Sequence, residues 1–239
     1  MNLNSFVTKK TYTSIFLICI MAIIPSVLSG IQGANVWERL LNVIESPLSN
    51  VIFFLSLIIL ISSIIKNVCY NQFFLSRYST YEELVKNGLA AIIISTIILY
   101  CSFFIIAIAS SFLFSFGNYQ ISLYENYHIN ILFYLIFKLI KNSCIYTIAS
   151  SFIFLIFIYL KNDIIKFLII ILNVIFFFIK PSFIIDRIFK IPSLFQNYLI
   201  SLNYLSFYLE FVVFIVYILI LLIILRLLYK LIIKRKRLM

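Results

Sequence analysis

Residues 89–114 read LAAIIISTIILYCSFFIIAIASSFLF, a run of 26 residues without one charged side chain. A helix needs about 20 mostly apolar residues to cross the hydrocarbon core of a bilayer. The run is continuous, whereas the strands of a membrane β-barrel alternate apolar and polar residues over segments of about 10 positions. This stretch therefore predicts a transmembrane helix and indicates the class of the fold.

The composition of the whole chain leads to the same conclusion. Of the 239 residues, 64% are hydrophobic and 11% are charged, whereas a soluble domain carries about 25% charged residues. A water-soluble fold of this length cannot bury so much apolar side chain, because a large part of its surface faces solvent. Disorder requires low hydrophobicity and high charge, which is the opposite composition. The bilayer is therefore the expected solvent for most of the chain.

Five further apolar runs resemble the first one. We predict an all-α membrane protein, a single domain with six transmembrane helices at about 12–29, 48–65, 89–114, 143–160, 164–179 and 208–228. An alternative for the first run is a cleaved signal peptide, because Lys9 and Lys10 precede it and Val27-Leu28-Ser29 is an acceptable cleavage site.

The basic residues are distributed unequally between the two sides of this predicted topology. If both termini are cytoplasmic, 13 of the 19 Lys and Arg residues fall on the cytoplasmic side. The remaining six lie outside: Arg39, Lys138, Lys141, Lys180, Arg187 and Lys190. The positive-inside rule then predicts cytoplasmic termini. Because these residues flank apolar runs, we expect them to meet lipid headgroups rather than nucleic acid.

The predicted cytoplasmic loop at 66–88 contains a helix-start signal. Ser79 and Glu82 stand three residues apart, as do Thr80 and Glu83, and either pair can form a capping box. We predict a short helix at about 80–86, ended by Asn87-Gly88 before the third transmembrane helix. An ordinary polar connector with capping residues is the alternative interpretation.

The six helices, the cytoplasmic termini and the loop sequence Leu-Ser-Arg-Tyr-Ser-Thr (75–80) resemble the membrane (permease) subunit of type-2 ABC exporters. Within that class, the chain is similar to the small permeases of bacteriocin, lantibiotic and peptide export or immunity in low-GC Gram-positive bacteria. The resemblance implies that the loop is a coupling helix which contacts an ATPase subunit through Arg77, Ser79, Thr80, Tyr81, Glu82, Glu83 and Lys86. It also implies a homodimer, or a pair with a related permease, in the bacterial plasma membrane.

Residues 181–207, between the fifth and sixth predicted helices, form two short amphipathic pieces separated by proline. They predict an interfacial or re-entrant hairpin on the outer face, and external elements at this position also occur in the exporters that the chain resembles. The residues that define the hairpin are Pro181, Phe183, Asp186, Arg187, Phe189 and Pro192. A simple extracellular loop resting on the headgroups is the alternative.

A polar stripe precedes the fourth predicted helix. Asn130, Tyr134, Lys138 and Lys141 recur at helical spacing. Lys138 and Lys141 can snorkel to the outer headgroups, which is the interpretation we favour here. Alternatively, the stripe lines an internal cavity or a subunit interface.

Several functional classes lack their sequence signals. The four glycines do not form a phosphate-binding loop, so any ATP and Mg²⁺ would be bound by a partner subunit and no cofactor is expected in this chain. The sequence contains no metal-ligand pattern and no convergent acid, base and nucleophile, so we do not expect an enzyme. The predicted helix centres are almost free of charge, which argues against an ion-coupled carrier. We therefore expect an exporter subunit for a hydrophobic or amphipathic substrate, possibly a peptide. The alternative is a non-transporting membrane immunity or accessory protein that binds a peptide or a membrane partner.

Overall fold

The structure, a computed structural model, describes residues 35–70, 80–114, 123–124, 129–160 and 207–237, together with the single positions 13, 15, 17 and 20. Within these residues the chain is helical apart from one two-residue ladder. The elements are α1 (Val36–Glu45), α2 (Pro47–Tyr70), α3 (Tyr81–Phe114), β1 (Leu123–Tyr124), β2 (Ile129–Asn130), α4 (Ile131–Tyr159) and α5 (Phe207–Arg237).

Four of the helices are long and apolar enough to cross a membrane. The candidate spans are Ser49–Lys66, Tyr81–Leu113, Ile131–Tyr159 and Phe214–Lys234. They coincide with the second, third, fourth and sixth predicted helices. Of the first predicted helix, only positions 13, 15, 17 and 20 are described; they are helical, and Ile15 belongs to the hydrophobic core. The fifth predicted helix and residues 181–206 of the predicted outer hairpin lie outside the described residues.

Helix α4 begins 12 residues before the predicted boundary of 143. Asn130 is its N-cap, and the Asn130 side-chain oxygen accepts a 2.9 Å hydrogen bond from the backbone N–H of Leu132. The antiparallel ladder of β1 and β2, in which Leu123 pairs with Asn130, leads directly into this cap. Lys138 and Lys141 therefore lie inside the transmembrane helix, and the prediction that they precede it is wrong.

Helix α1 was not expected from the sequence. It is a 10-residue amphipathic helix in which Val36, Leu40, Val43 and Ile44 are buried. The Trp37 ring meets Phe112 edge-on at 5.7 Å between centroids, which joins α1 to the last turn of α3. Ser46 separates α1 from α2, and Pro47 occupies the first position of α2, where proline is well tolerated. The residue spacing 36, 40, 43, 44 is the signal that could have predicted α1.

Side-chain contacts between helices show in which direction each helix runs. Phe53, near the start of α2, contacts Tyr100 on α3 and Tyr146 on α4 at 5.4 and 4.6 Å between centroids. Gly88 near the start of α3 meets Phe154 near the end of α4, so these two helices are antiparallel. Phe137 on α4 contacts Phe214 on α5 at 6.0 Å, so α4 and α5 begin at the same end of the bundle.

The bundle consequently has two distinct ends. One end, called here the hairpin end, holds α1, the β1–β2 ladder and the starts of α2, α4 and α5. The other, called here the charged end, holds the end of α2, the start of α3 and the last turns of α5. The exposed side chains of Lys66, Glu82, Glu83, Lys86 and Lys230 lie at the charged end.

Candidate functional site

The described residues of the predicted loop at 66–88 are 66–70, which end α2, and 80–88, where Tyr81 begins α3. Thr80 caps the first turn of α3: the Glu83 backbone N–H donates a 3.2 Å hydrogen bond to Thr80 Oγ1, and the Leu84 N–H donates to the Thr80 carbonyl at 3.2 Å. One hydrogen bond of the predicted Thr80–Glu83 capping box, from the Glu83 N–H to the Thr80 side chain, is thus confirmed. Glu82 and Glu83 lie in this first turn, where negative charge is favourable because the helix N-terminus carries partial positive charge. Arg77 and Ser79 lie outside the described residues.

The predicted end of this helix at Asn87-Gly88 is wrong. Helix α3 runs without interruption from Tyr81 to Phe114, over 34 residues. Gly88 is buried and faces α4, where a Cβ at this position would lie 2.6 Å from Cζ of Phe154. The glycine therefore allows close helix packing rather than a turn. The predicted separate helix at 80–86 is instead the first part of a transmembrane helix.

Two faces of the first turns of α3 differ sharply. Leu84 and Val85 are buried in the bundle, whereas Glu82, Glu83 and Lys86 are exposed. At 34 residues, α3 is about 51 Å long at about 1.5 Å per residue, which exceeds the bilayer core of about 30 Å. Residues 89–114 carry no charge and alone extend over about 39 Å, so they can cross the core without Tyr81–Asn87. The charged side chains therefore lie at the membrane surface or beyond it.

A groove separates the start of α3 from the end of α5. It has a volume of about 410 Å³, and its lining residues are Glu82, Arg226, Tyr229, Lys230, Ile233 and Lys234. The sequence could predict that Arg226, Lys230 and Lys234 share one face, since they are four residues apart. It could not predict that Glu82 lies across the groove, because this depends on how α3 packs against α5.

A second polar feature lies inside the bundle. Five residues of α4 spaced four apart are buried, and we call them the polar seam: Tyr134, Lys138, Asn142, Tyr146 and Ser150. Lys138 is 2% exposed, and its Nζ lies 5.1 Å from the centroid of the Tyr134 ring. The stripe predicted from the sequence therefore faces the interior, and the favoured prediction that Lys138 and Lys141 snorkel to the headgroups is wrong.

Hydrogen bonds from the polar seam cross to the neighbouring helices. The Tyr146 hydroxyl donates a 2.8 Å hydrogen bond to Asn50 Oδ1 on α2. The Ser150 hydroxyl lies 3.1 Å from the Thr96 hydroxyl on α3. Because lipid offers no competing partner, such bonds help to hold helices in register, at about 0.6 kcal/mol each on average. The next residue at this spacing is Phe154, which packs on Gly88 and ends the polar line.

Buried cations accompany the seam. Lys141 is 9% exposed and its Nζ lies 5.8 Å from the Phe137 ring centroid, while Arg39 of α1 is also 9% exposed. Both lysines lie in the first half of α4, whereas residues 142–159 carry no charge, so the prediction of almost uncharged helix centres holds only for that later part of α4. Ionisable residues inside membrane helices commonly mark functional positions. A predicted helix that begins at Ile131 would include Lys138 and Lys141, so their position in the sequence is the signal for them.

Within the residues that the structure describes, no group of three or more His, Cys, Asp or Glu side chains is placed to hold a metal ion. Comparison with protein families, with curated proteins and with solved structures gives no significant match. The four long apolar helices define the class of the molecule as a multi-pass α-helical membrane protein.

Proposed function

We propose that this chain is the membrane subunit of an ATP-driven exporter of the ABC class, and that it binds a separate ATPase at the charged end. The observation that carries the proposal is the Thr80-capped first turn of α3, which exposes Glu82, Glu83 and Lys86 beyond the apolar part of the same helix. These side chains offer a soluble partner a rigid and charged contact. ATP and Mg²⁺ would be bound by that partner.

The continuity of α3 gives such a contact a mechanical consequence. Thr96 and Tyr100 lie on α3, where Thr96 meets Ser150 and the Tyr100 ring lies 5.3 Å from the Tyr146 ring. A displacement of the first turn would reach these seam residues along one rigid rod, because an α-helix is held by its own backbone hydrogen bonds. Movement of the ATPase would thereby change the packing of α3 against α4.

The remaining parts of the proposal follow from the membrane-facing surfaces. Exposed apolar residues on α3, such as Ile97, Ile98 and Ile105, can contact lipid, a second copy of the chain or a related permease. The substrate class is hydrophobic or amphipathic, possibly a peptide, and the location is the bacterial plasma membrane with the charged end in the cytoplasm. The positive-inside rule supports this orientation.

A second candidate is a non-transporting immunity or accessory protein of the membrane. Two observations favour it. The exporter resemblance would require a separate helix at 80–86, whereas these residues are part of the continuous helix α3. In addition, four aromatic rings of α2, α3 and α4 pack together inside the described bundle: Phe53, Tyr100, Phe103 and Tyr146. A dense aromatic core suits a protein that binds a partner without moving a substrate through itself.

Copurification from native membranes distinguishes the two candidates. The exporter proposal expects an ATPase to copurify with the tagged chain, and the Glu82→Ala/Glu83→Ala double variant to reduce both its recovery and the ATP hydrolysis of the complex. Glu125→Ala is the control, because it also removes a carboxylate, and Glu125 belongs to the sequence between α3 and α4 rather than to the predicted coupling loop. Absence of any ATPase, or a double variant that behaves like the control, would contradict the coupling role and favour the second candidate.

A further inference from the structure

The groove at the charged end combines a basic surface with an adjacent apolar one. Arg226, Lys230 and Lys234 are four residues apart on α5 and all three are exposed. At about 1.5 Å of rise per residue they extend over about 12 Å along the helix axis. They occupy the last three turns of the candidate span Phe214–Lys234, the depth at which a membrane helix passes from hydrocarbon to headgroups.

The face of α5 above the basic residues is apolar and uncovered. Leu222 and Leu219 precede Arg226 by four and seven residues, which places them on the same face, and they are 45% and 55% exposed. In an 18-residue apolar stretch of the span Phe214–Lys234, only 6% of the residues are buried. A molecule with its headgroup in the groove would therefore find hydrocarbon-compatible surface directly beside it.

The groove itself has the size and charge for a headgroup. Its volume is about 410 Å³, and Tyr229 contributes a hydroxyl among the basic side chains. Three basic groups face one carboxylate, that of Glu82, which leaves a positive excess in the groove. Basic pockets between membrane helices on the cytoplasmic side suit anionic lipid headgroups, because the phosphate meets fixed positive charge while the acyl chains remain in hydrocarbon.

From this combination we propose that the groove is a binding site for one anionic phospholipid. Arg226, Lys230 and Lys234 hold the phosphate, and the acyl chains lie along Leu219 and Leu222. Glu82 opposes the phosphate and limits the affinity of the site. The proposal does not depend on an ATPase, since every residue it uses belongs to this chain.

Native mass spectrometry of the delipidated chain in detergent tests the site. The chain is titrated with phosphatidylglycerol, with phosphatidylcholine of the same acyl chains, and with inorganic phosphate. We expect phosphatidylglycerol to bind more tightly than phosphatidylcholine, and each of Arg226→Gln, Lys230→Gln and Lys234→Gln to weaken it about fivefold, as is typical for one basic residue at a membrane surface. Inorganic phosphate is expected not to displace the lipid.

Other variants should change the affinity for phosphatidylglycerol in the opposite direction or leave it unchanged. Glu82→Gln removes the opposing carboxylate and should tighten phosphatidylglycerol binding, whereas Glu83→Gln, which is exposed but does not line the groove, should leave it unchanged. Lys66→Gln, an exposed lysine of α2 at the same end, should also have no effect. Equal losses in Lys66→Gln and the groove variants would show a diffuse surface charge effect and overturn the site. Displacement of the lipid by inorganic phosphate would overturn the lipid assignment.

Discussion

Gly88 of α3 and Phe154 of α4 touch so closely that a Cβ at position 88 would lie 2.6 Å from Cζ of the phenylalanine ring. Phe154 is fully buried, so its ring has little room to retreat. Gly88 lies within the helix, where an alanine would ordinarily be favoured by about 1 kcal/mol. The contact opposes this preference, and the balance between them can be measured.

We expect Gly88→Ala to destabilise the bundle by about 1–3 kcal/mol, the usual cost of overpacking a core. The measurement is the free energy of unfolding in mixed detergent micelles. Phe154→Leu should relieve the clash, so that the double variant loses less stability than the two single variants added together. An increase in stability for Gly88→Ala would mean that helix propensity outweighs the contact.

The hydroxyl groups of Tyr146 and Tyr100 offer a matched comparison. Tyr146 donates to Asn50 across the α2–α4 interface at 2.8 Å, whereas the buried Tyr100 hydroxyl lies near the Asn142 side chain without a hydrogen bond of good geometry. We expect Tyr146→Phe to cost about 0.6–1.7 kcal/mol, between the average and the largest value typical of hydrogen bonds between membrane helices. Tyr100→Phe should cost less than Tyr146→Phe, because the Tyr100 hydroxyl makes the weaker contact, with Asn142. Equal losses for the two variants would contradict this assignment.

The burial of Lys138 and Lys141 predicts slow chemical modification. Lys138 and Lys141 are 2% and 9% exposed, whereas Lys66, Lys86 and Lys230 are exposed. The purified protein is acetylated with a water-soluble reagent that reacts with amines, and the products are followed by peptide mass spectrometry. Lys138 and Lys141 should react much more slowly than the other three lysines. Equal rates would mean that the side chains reach the headgroups after all.

The two ends of the bundle predict the pattern of labelling from outside the cell. In a background without the four native cysteines, a membrane-impermeant maleimide should label Asn130→Cys in intact cells. It should label Thr80→Cys and Lys234→Cys only after the membrane is opened, if the charged end lies in the cytoplasm as the positive-inside rule predicts. Asn130, Thr80 and Lys234 are all exposed, so access rather than burial decides the outcome. Labelling of all three from the same side would refute the bundle topology.

The features of the chain that depend on short stretches could be predicted from the sequence. The runs at 48–65, 89–114 and 208–228 lie within α2, α3 and α5, because about 20 apolar residues suffice to define a span. The Thr80 cap was likewise predictable, since a side chain and a backbone N–H three residues later meet in any helix start. The class of the fold is determined at this level.

The tertiary structure decided the features that involve a second helix. Asn87-Gly88 reads as a helix end in isolation, but Phe154 on α4 makes the glycine a packing residue inside α3. Lys138 and Lys141 read as headgroup anchors, but the burial of α4 against its neighbours turns them inward. Glu82 joins Arg226 in one groove only because α3 and α5 meet at the charged end. A membrane surrounds every apolar face with similar solvent, so hydropathy reveals which segments span, while side-chain packing between helices decides which face points inward.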